Sequence, residues 1–326
     1  MAELTLVEAV RAALAHAMQE DREVILFGED VGIDGGVFRA TDGLYQRFGS
    51  RRVRDTPLSE LLISGLAVGL AAQGMRPVCE IQFTGFLYPT IDQLVNHASR
   101  MRNRTRGRLT CPMVLRAPYG GGVHAPEHHS ESAEAMLAHI PGLKVVIPSS
   151  PAHAYGLLLA AIRDPDPVVF LEPKKLYRSF KQEVRDDGAD FPLGSAFVLG
   201  EGTDVTLIGW GAMVPEMLAA RDQLAGEDIS AEIIDIATIK PLDWETVLDS
   251  VARTGRAVIV HEAPGNCGVG AEISATISEQ LLGQLIAPVG RVTGWDTVMP
   301  LPRLEHHYMP DAARIAGRVH KVMAWS

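Results

Sequence analysis

The stretch KVVIPSSPAHAYGLLLAAIRDPDPVVFL, residues 144–171, decides the fold. Lys144–Ile147 and Val168–Leu171 are short, unbroken apolar runs rich in β-branched residues, the pattern of strands buried on both faces. Between them, Ser150 followed by Pro151 is a helix N-cap with proline in the first turn, and an apolar helical pattern continues to about Arg163. A strand, a crossover helix and a second strand in so few residues form a parallel unit.

Working outward, the same alternation recurs. Val24–Phe27, Pro77–Phe83 and Met113–Arg116 are expected to be strands. Thr5 with Glu8 three residues on is a capping box opening a helix to about Gln19. From Arg178 to Gly194 the pattern gives way to charges, glycine and proline, KQEVRDDGADFPLG, which reads as a linker. Beyond it Val205–Gly209, Ala231–Ile236 and Ala257–His261 are expected strands, with a helix Asp243–Thr254 stopped by Gly255. The expectation is an α/β protein of two domains, residues 1–185 and a smaller one at 195–326, each with a parallel sheet covered by helices.

Bulk composition excludes several function classes. The 326 residues carry 30 Lys and Arg against 40 Asp and Glu, a net charge of -10, which repels nucleic acid and anionic membrane. Alternate arginines at Arg100, Arg102, Arg104, Arg106 and Arg108 read as a solvated or salt-bridged stretch. Cys79, Cys111 and Cys267 are too few and too scattered for a disulfide framework or structural zinc. The apolar run Leu61–Ala72 is too short to span a bilayer, and an opening on Glu3 with a helical pattern is expected to carry no secretory signal. The cytoplasm is the expected compartment.

Ligands of parallel sheets bind beyond the carboxyl ends of the strands. Glu29 and Asp30 close the first strand, Phe86 lies just past CEIQF, and His124, His128 and His129 follow VLRAP through the run Gly120–Gly122. These groups should converge on one sheet edge. Glu60, in DTPLSE, stands at the mouth of the helix LLISGLAVGLAAQG, where helix amides favour its anion and the apolar helix its neutral form. Such a carboxyl can share a proton with a ring nitrogen, or it can simply cap the helix. Gly65 and Gly69 on one helical face suggest close approach of another subunit. The histidines read as metal ligands or, more naturally on a glycine-tethered loop, as a proton-transfer group. His306 and His307 read as surface residues. Gly209-x-Gly211 and Gly268-x-Gly270 follow strands, but each lacks the third glycine of a dinucleotide fingerprint and reads as a tight strand-to-helix turn.

Taken together, GEDVGIDGGVFRATDGL, DTPLSE, GMRPVCEIQFTGF, EHHSES, PGLKVVIPSSP and DPVVFLEPKKLYRS closely resemble the beta subunits of the decarboxylating component of 2-oxo acid dehydrogenases. TDVTLIGWGAMV, RTGRAVIVHEAP and RVTGWDTVMPLPRLEHHYMP extend the resemblance through essentially the whole chain. It implies a pyrimidine-binding domain followed by a transketolase C-terminal domain. It also implies that Glu60 contacts the aminopyrimidine nitrogen of thiamine diphosphate, with Glu29 beside it as an acidic partner. Phe86 would pack on the pyrimidine with Leu58 next to it, and His129 would assist acyl transfer to a lipoyl group carried by an acyltransferase component. No GDG motif with a following Asn is present, so the resemblance places Mg2+ and the diphosphate on the alpha subunit of an α2β2 heterotetramer. It also suggests a potassium ion on backbone carbonyls at Ala161, Asp164 and Asp166. Pro89 departs from relatives that carry glutamine there.

EHHSES leans towards a branched-chain 2-oxo acid as substrate, with pyruvate as the alternative and acetoin cleavage further off. Two other classes stand beside this reading: a free-standing nicotinamide oxidoreductase, and a non-catalytic assembly subunit.

Overall fold

The computed structural model describes residues 2–325. Along the first half of the chain run β1 (Ala2–Leu4), β2 (Val24–Gly28), β3 (Val53–Asp55), β4 (Arg76–Glu80), β5 (Val114–Tyr119), β6 (Lys144–Val146), β7 (Val168–Pro173) and β8 (Gln182–Val184). The second half supplies β9 (Phe197–Gly200), β10 (Val205–Gly209), β11 (Ala231–Asp235), β12 (Thr238–Lys240), β13 (Ala257–Pro264) and β14 (Gly290–Gly294). They form a seven-stranded sheet ordered β12-β6-β7-β5-β4-β2-β3, a five-stranded sheet ordered β14-β13-β10-β11-β9, and the pair β1-β8. The crossover unit at residues 144–171 is present as expected, with β6 parallel to β7. Its helix, Pro151–Arg163, is capped by Ser150, whose Oγ accepts from His153 N at 3.2 Å.

That helix packs on the helix Leu6–Glu20, where Thr5 N donates to Glu8 Oε2 at 2.8 Å and closes the capping box. Leu157, Leu158, Leu159 and Ile162 are buried in one core shared with that helix and the sheet, each contributing roughly 1.5–3 kcal/mol of burial. A continuous core of this kind makes the carboxyl edge of the sheet a rigid platform.

Several features differ from the sequence reading, β9 among them, which runs antiparallel to β11 in the second sheet. The N-terminus opens as a strand, because Ala2, Glu3 and Leu4 find antiparallel partners in Val184, Glu183 and Gln182. The presumed linker therefore contains a strand. β4 stops at Glu80 instead of Phe83, where the chain leaves the sheet for a 3-10 turn at Thr84–Phe86. Lastly β12, from beyond the linker, adds antiparallel to β6 at the edge of the first sheet. Two-residue ladders of this sort depend on a distant partner and leave little periodicity to read.

Candidate active site

β2 ends at Gly28, where a Cβ would lie 2.6 Å from the Glu80 carbonyl oxygen, so only glycine lets the two strands run this close. The Gly28 carbonyl accepts from Thr56 N at 2.9 Å, and Asp55 Oδ1 accepts from Gly32 N at 2.6 Å. Both bonds draw the segment DTPLSE onto the end of β2. Ser59 takes the N-cap position of the helix Glu60–Ala72 without a side-chain capping bond, which puts Glu60 in the first turn, close enough for its charge to act on Glu29. Glu29 is buried and its Oε1 has no hydrogen-bond partner. Burial pushes its carboxyl above the ordinary value, Glu60 and Asp30 push the same way, and the Ser59 N–H pulls back. An acid pair without a cation beside it is a place to hold a proton.

Leu58 is 81% exposed, and Leu61, Leu62 and Leu66 of the same helix are also exposed. The pair therefore opens onto an uncovered apolar surface. A Cβ on Gly69 would meet nothing within 4 Å, and one on Gly65 would make only ordinary contact with Gln93. The small residues on this helix are thus not demanded by packing inside the chain.

The histidine loop lies against the turn that follows β4. Phe86 has its ring centre 5.3 Å from His129 and 6.4 Å from His128, while Phe83 meets His129 edge-on at 4.3 Å. Gly85 is required there, because a Cβ would fall 2.0 Å from the His128 carbonyl oxygen. His129 is half-buried with its Nδ1 left without a partner, whereas His124 and His128 are exposed. Among the described residues no group of three or more His, Cys, Asp or Glu is placed to hold a metal ion. The histidines do not converge, and the metal-ligand reading of them fails for that reason.

Asp164 and Asp166 lie at the end of the helix Pro151–Arg163, with Ala161 buried in its last turn. The Asp166 carboxylate is held by Arg102 at 2.8 Å, which ties down one of the alternate arginines, and the Asp164 carboxylate is held by Lys144. Arg76 Nη1 donates to the carbonyls of Ile162 and Asp164 at 3.0 and 3.4 Å, which lowers the number of acceptors left for a potassium ion. The paired glycines are filled from within. A Cβ on Gly209 would lie 2.8 Å from Met217, and one on Gly270 would lie 2.6 Å from His261. They serve strand-to-helix packing, with no phosphate-sized gap to spare. His306 and His307 are exposed, as expected.

Sequence reasoning missed a buried ionic cluster in the same sheet. Arg116 reaches Glu172 with Nε at 2.6 Å and Nη2 at 3.0 Å, and Glu80 with Nη1 at 2.8 Å. It also missed Glu262 and Glu305 beneath the histidine loop, which no local pattern announces.

Residues 2–179 match the family model of the transketolase pyrimidine binding domain, and residues 194–315 that of the transketolase C-terminal domain. A split gene transketolase, described as an inactive beta4 tetramer, superposes with a TM-score of 0.81 at 24% identity over 99% of both chains and shows the same fold. The pyruvate dehydrogenase E1 component subunit beta of Acholeplasma laidlawii is 50% identical over 322 residues, 99% of this chain and 98% of that protein. Its counterpart in Bacillus subtilis is 49% identical over 323 residues, 99% of both. With full-length similarity of that order and both domains in place, this chain belongs to the family of beta subunits of the decarboxylating E1 component of 2-oxo acid dehydrogenases.

Proposed function

We propose that this chain supplies the proton-handling half of a thiamine diphosphate site and that the enzyme it completes decarboxylates pyruvate. The observation that carries this is the uncompensated pair, Glu29 buried with an orphaned oxygen against Glu60 at a helix mouth. The residues fit the ring end of the cofactor: an acid pair, an aromatic ring in Phe86 and an exposed apolar side chain in Leu58. They offer nothing for the diphosphate end, which we assign, with its Mg2+, to an alpha subunit in an α2β2 assembly. The exposed leucines and unfilled glycines of the Glu60–Ala72 helix suit a surface that another chain covers.

When bound, thiamine diphosphate provides the electron sink that lets a 2-oxo acid lose carbon dioxide. Glu60 would hold the proton on the aminopyrimidine ring nitrogen, and Glu29, kept above its ordinary value by burial, would limit the charge on the pair. Phe86 and Leu58 would exclude water, and His129 would hold the proton exchanged with the lipoyl sulfur. The division near residues 185–195 would let the second domain support this edge. We place the enzyme in the cytoplasm; no helix among the described residues is long and apolar enough to cross a membrane.

The lean from EHHSES towards branched-chain substrates gives way here, since the full-length relatives near half identity are pyruvate enzymes by name. The deciding experiment is co-expression with the alpha chain and a decarboxylation assay across pyruvate and branched-chain 2-oxo acids. Preference for a branched-chain acid would reverse the substrate assignment, and turnover by this chain alone would overturn the shared site.

A further inference from the structure

β5 ends at Tyr119, and side chains from elsewhere in the chain hold the backbone of the residues after it. Lys174 Nζ donates to the Gly120 carbonyl. Glu262 Oε2 accepts from Gly121 N at 2.9 Å, Glu305 Oε1 accepts from Gly122 N at 2.7 Å, and Glu305 Oε2 accepts from His124 N at 2.9 Å. Both carboxylates come from the second half of the chain, Glu262 in β13 and Glu305 in the helix Pro302–Tyr308. They are 2% and 3% exposed.

The glycine run is what lets this contact form. A Cβ on Gly120 would lie 2.4 Å from Glu262 Oε1, one on Gly121 2.4 Å from Met299, and one on Gly122 2.8 Å from Lys175. Gly120 and Gly122 also hold φ of +80° and +82°, which other residues adopt at a cost. Downstream, Val123, His124, Pro126, Glu127 and His128 are exposed, and the loop meets the rest of the chain again where His128 and His129 lie against Phe83, Gly85 and Phe86. A segment with so few buried contacts takes its position from its ends.

We propose that Glu305 is a positioning residue for the histidine loop: its buried carboxylate, reaching over from the second domain, fixes Gly122 and His124 and so sets where His129 stands. A carboxylate has two acceptor oxygens and no donor, which suits two converging backbone N–H groups. Glutamine at this position would turn an NH2 towards one of them, donor against donor, with no change in size. Aspartate would keep both oxygens but withdraw them by one methylene.

This inference rests on the role given to His129 above, so its test separates two half-reactions in the reconstituted holoenzyme. Decarboxylation of pyruvate is followed with ferricyanide as electron acceptor, and acyl transfer is followed with a lipoyl domain as acceptor. For Glu305→Gln the lipoyl-dependent kcat should fall by roughly ten- to a hundredfold, with ferricyanide-dependent turnover within about twofold of the parent. Glu305→Asp should fall between, and it carries the test if the glutamine variant does not fold. Amide exchange at Gly122 and His124 should quicken in both variants. A parallel loss of both half-reactions with the melting temperature, or unchanged exchange at those two amides, would overturn the proposal. If the parent holoenzyme decarboxylates no 2-oxo acid, the functional reading falls, while amide exchange still judges the anchor by itself.

Discussion

Glu29 and Glu80 stand at nearly the same level of one sheet, since Gly28 of β2 pairs with Glu80 of β4, yet their surroundings are opposite. Glu80 faces Arg116, which also grips Glu172, and Tyr177 donates to Glu172 at 2.7 Å. One guanidinium between two carboxylates cannot neutralise both. Burial therefore lifts Glu80 above its ordinary value while Arg116 draws it back. Burial also disfavours the charged guanidinium, but Glu172 and Glu80 more than offset this and hold it firmly protonated. Among the described residues Glu29 has no salt-bridge partner, and the charges that act on it are those of other acids, Glu60 and Asp30. The first cluster meets its carboxylates with a guanidinium and a tyrosine hydroxyl from inside the chain. The second leaves a buried carboxyl oxygen without a partner and a carboxyl held above its ordinary value, which is why the proposed function is placed there.

This contrast can be broken or sharpened by experiment. The largest expected effect is Glu60→Gln in the reconstituted enzyme, which should cut pyruvate turnover by roughly a hundred- to ten-thousandfold with the fold intact by melting. Unchanged turnover would leave the chain as a non-catalytic assembly subunit. Next, Arg116→Met strands two buried carboxylates and should destabilise the chain by about 3–5 kcal/mol in urea titration. A shift well below that would mean the ionic cluster is not closed as described.

Glu29→Gln should act with the opposite sign and depend on pH. A carboxyl whose folded value is raised favours the folded state at low pH, and that contribution is lost as pH climbs from the ordinary carboxylate value through the raised one. The variant should therefore gain on the parent in thermal melts as pH rises through that window, and a gap flat with pH would remove the claim that burial raises the Glu29 carboxyl. The smallest effect is expected at Arg102→Gln, since its pair with Asp166 is solvent-exposed. Its urea midpoint should match the parent's.

Much of the fold was legible because its signals are local. Ser150 and Pro151 announce a helix start, Asp243 and Gly255 bracket another, and the runs at Val24, Val168 and Val205 read directly as buried strands. Glu60 could be singled out because DTPLSE stands in a family motif; a glutamate in a first helical turn would by itself read as a cap. What escaped has its partner far away. β1 needs β8, β12 needs β6, and Glu305 meets Gly122 across 183 positions.

By itself the sequence determined the α/β class, the family, and the candidates Glu29, Glu60, Phe86 and His129, because capping, periodicity and motif order act over neighbouring residues. Only the tertiary structure decided which carboxylates are neutralised and which are not, and which distant acid holds the histidine loop. Those outcomes depend on burial and on partners brought together by folding, and neither is written in the residues adjacent to them.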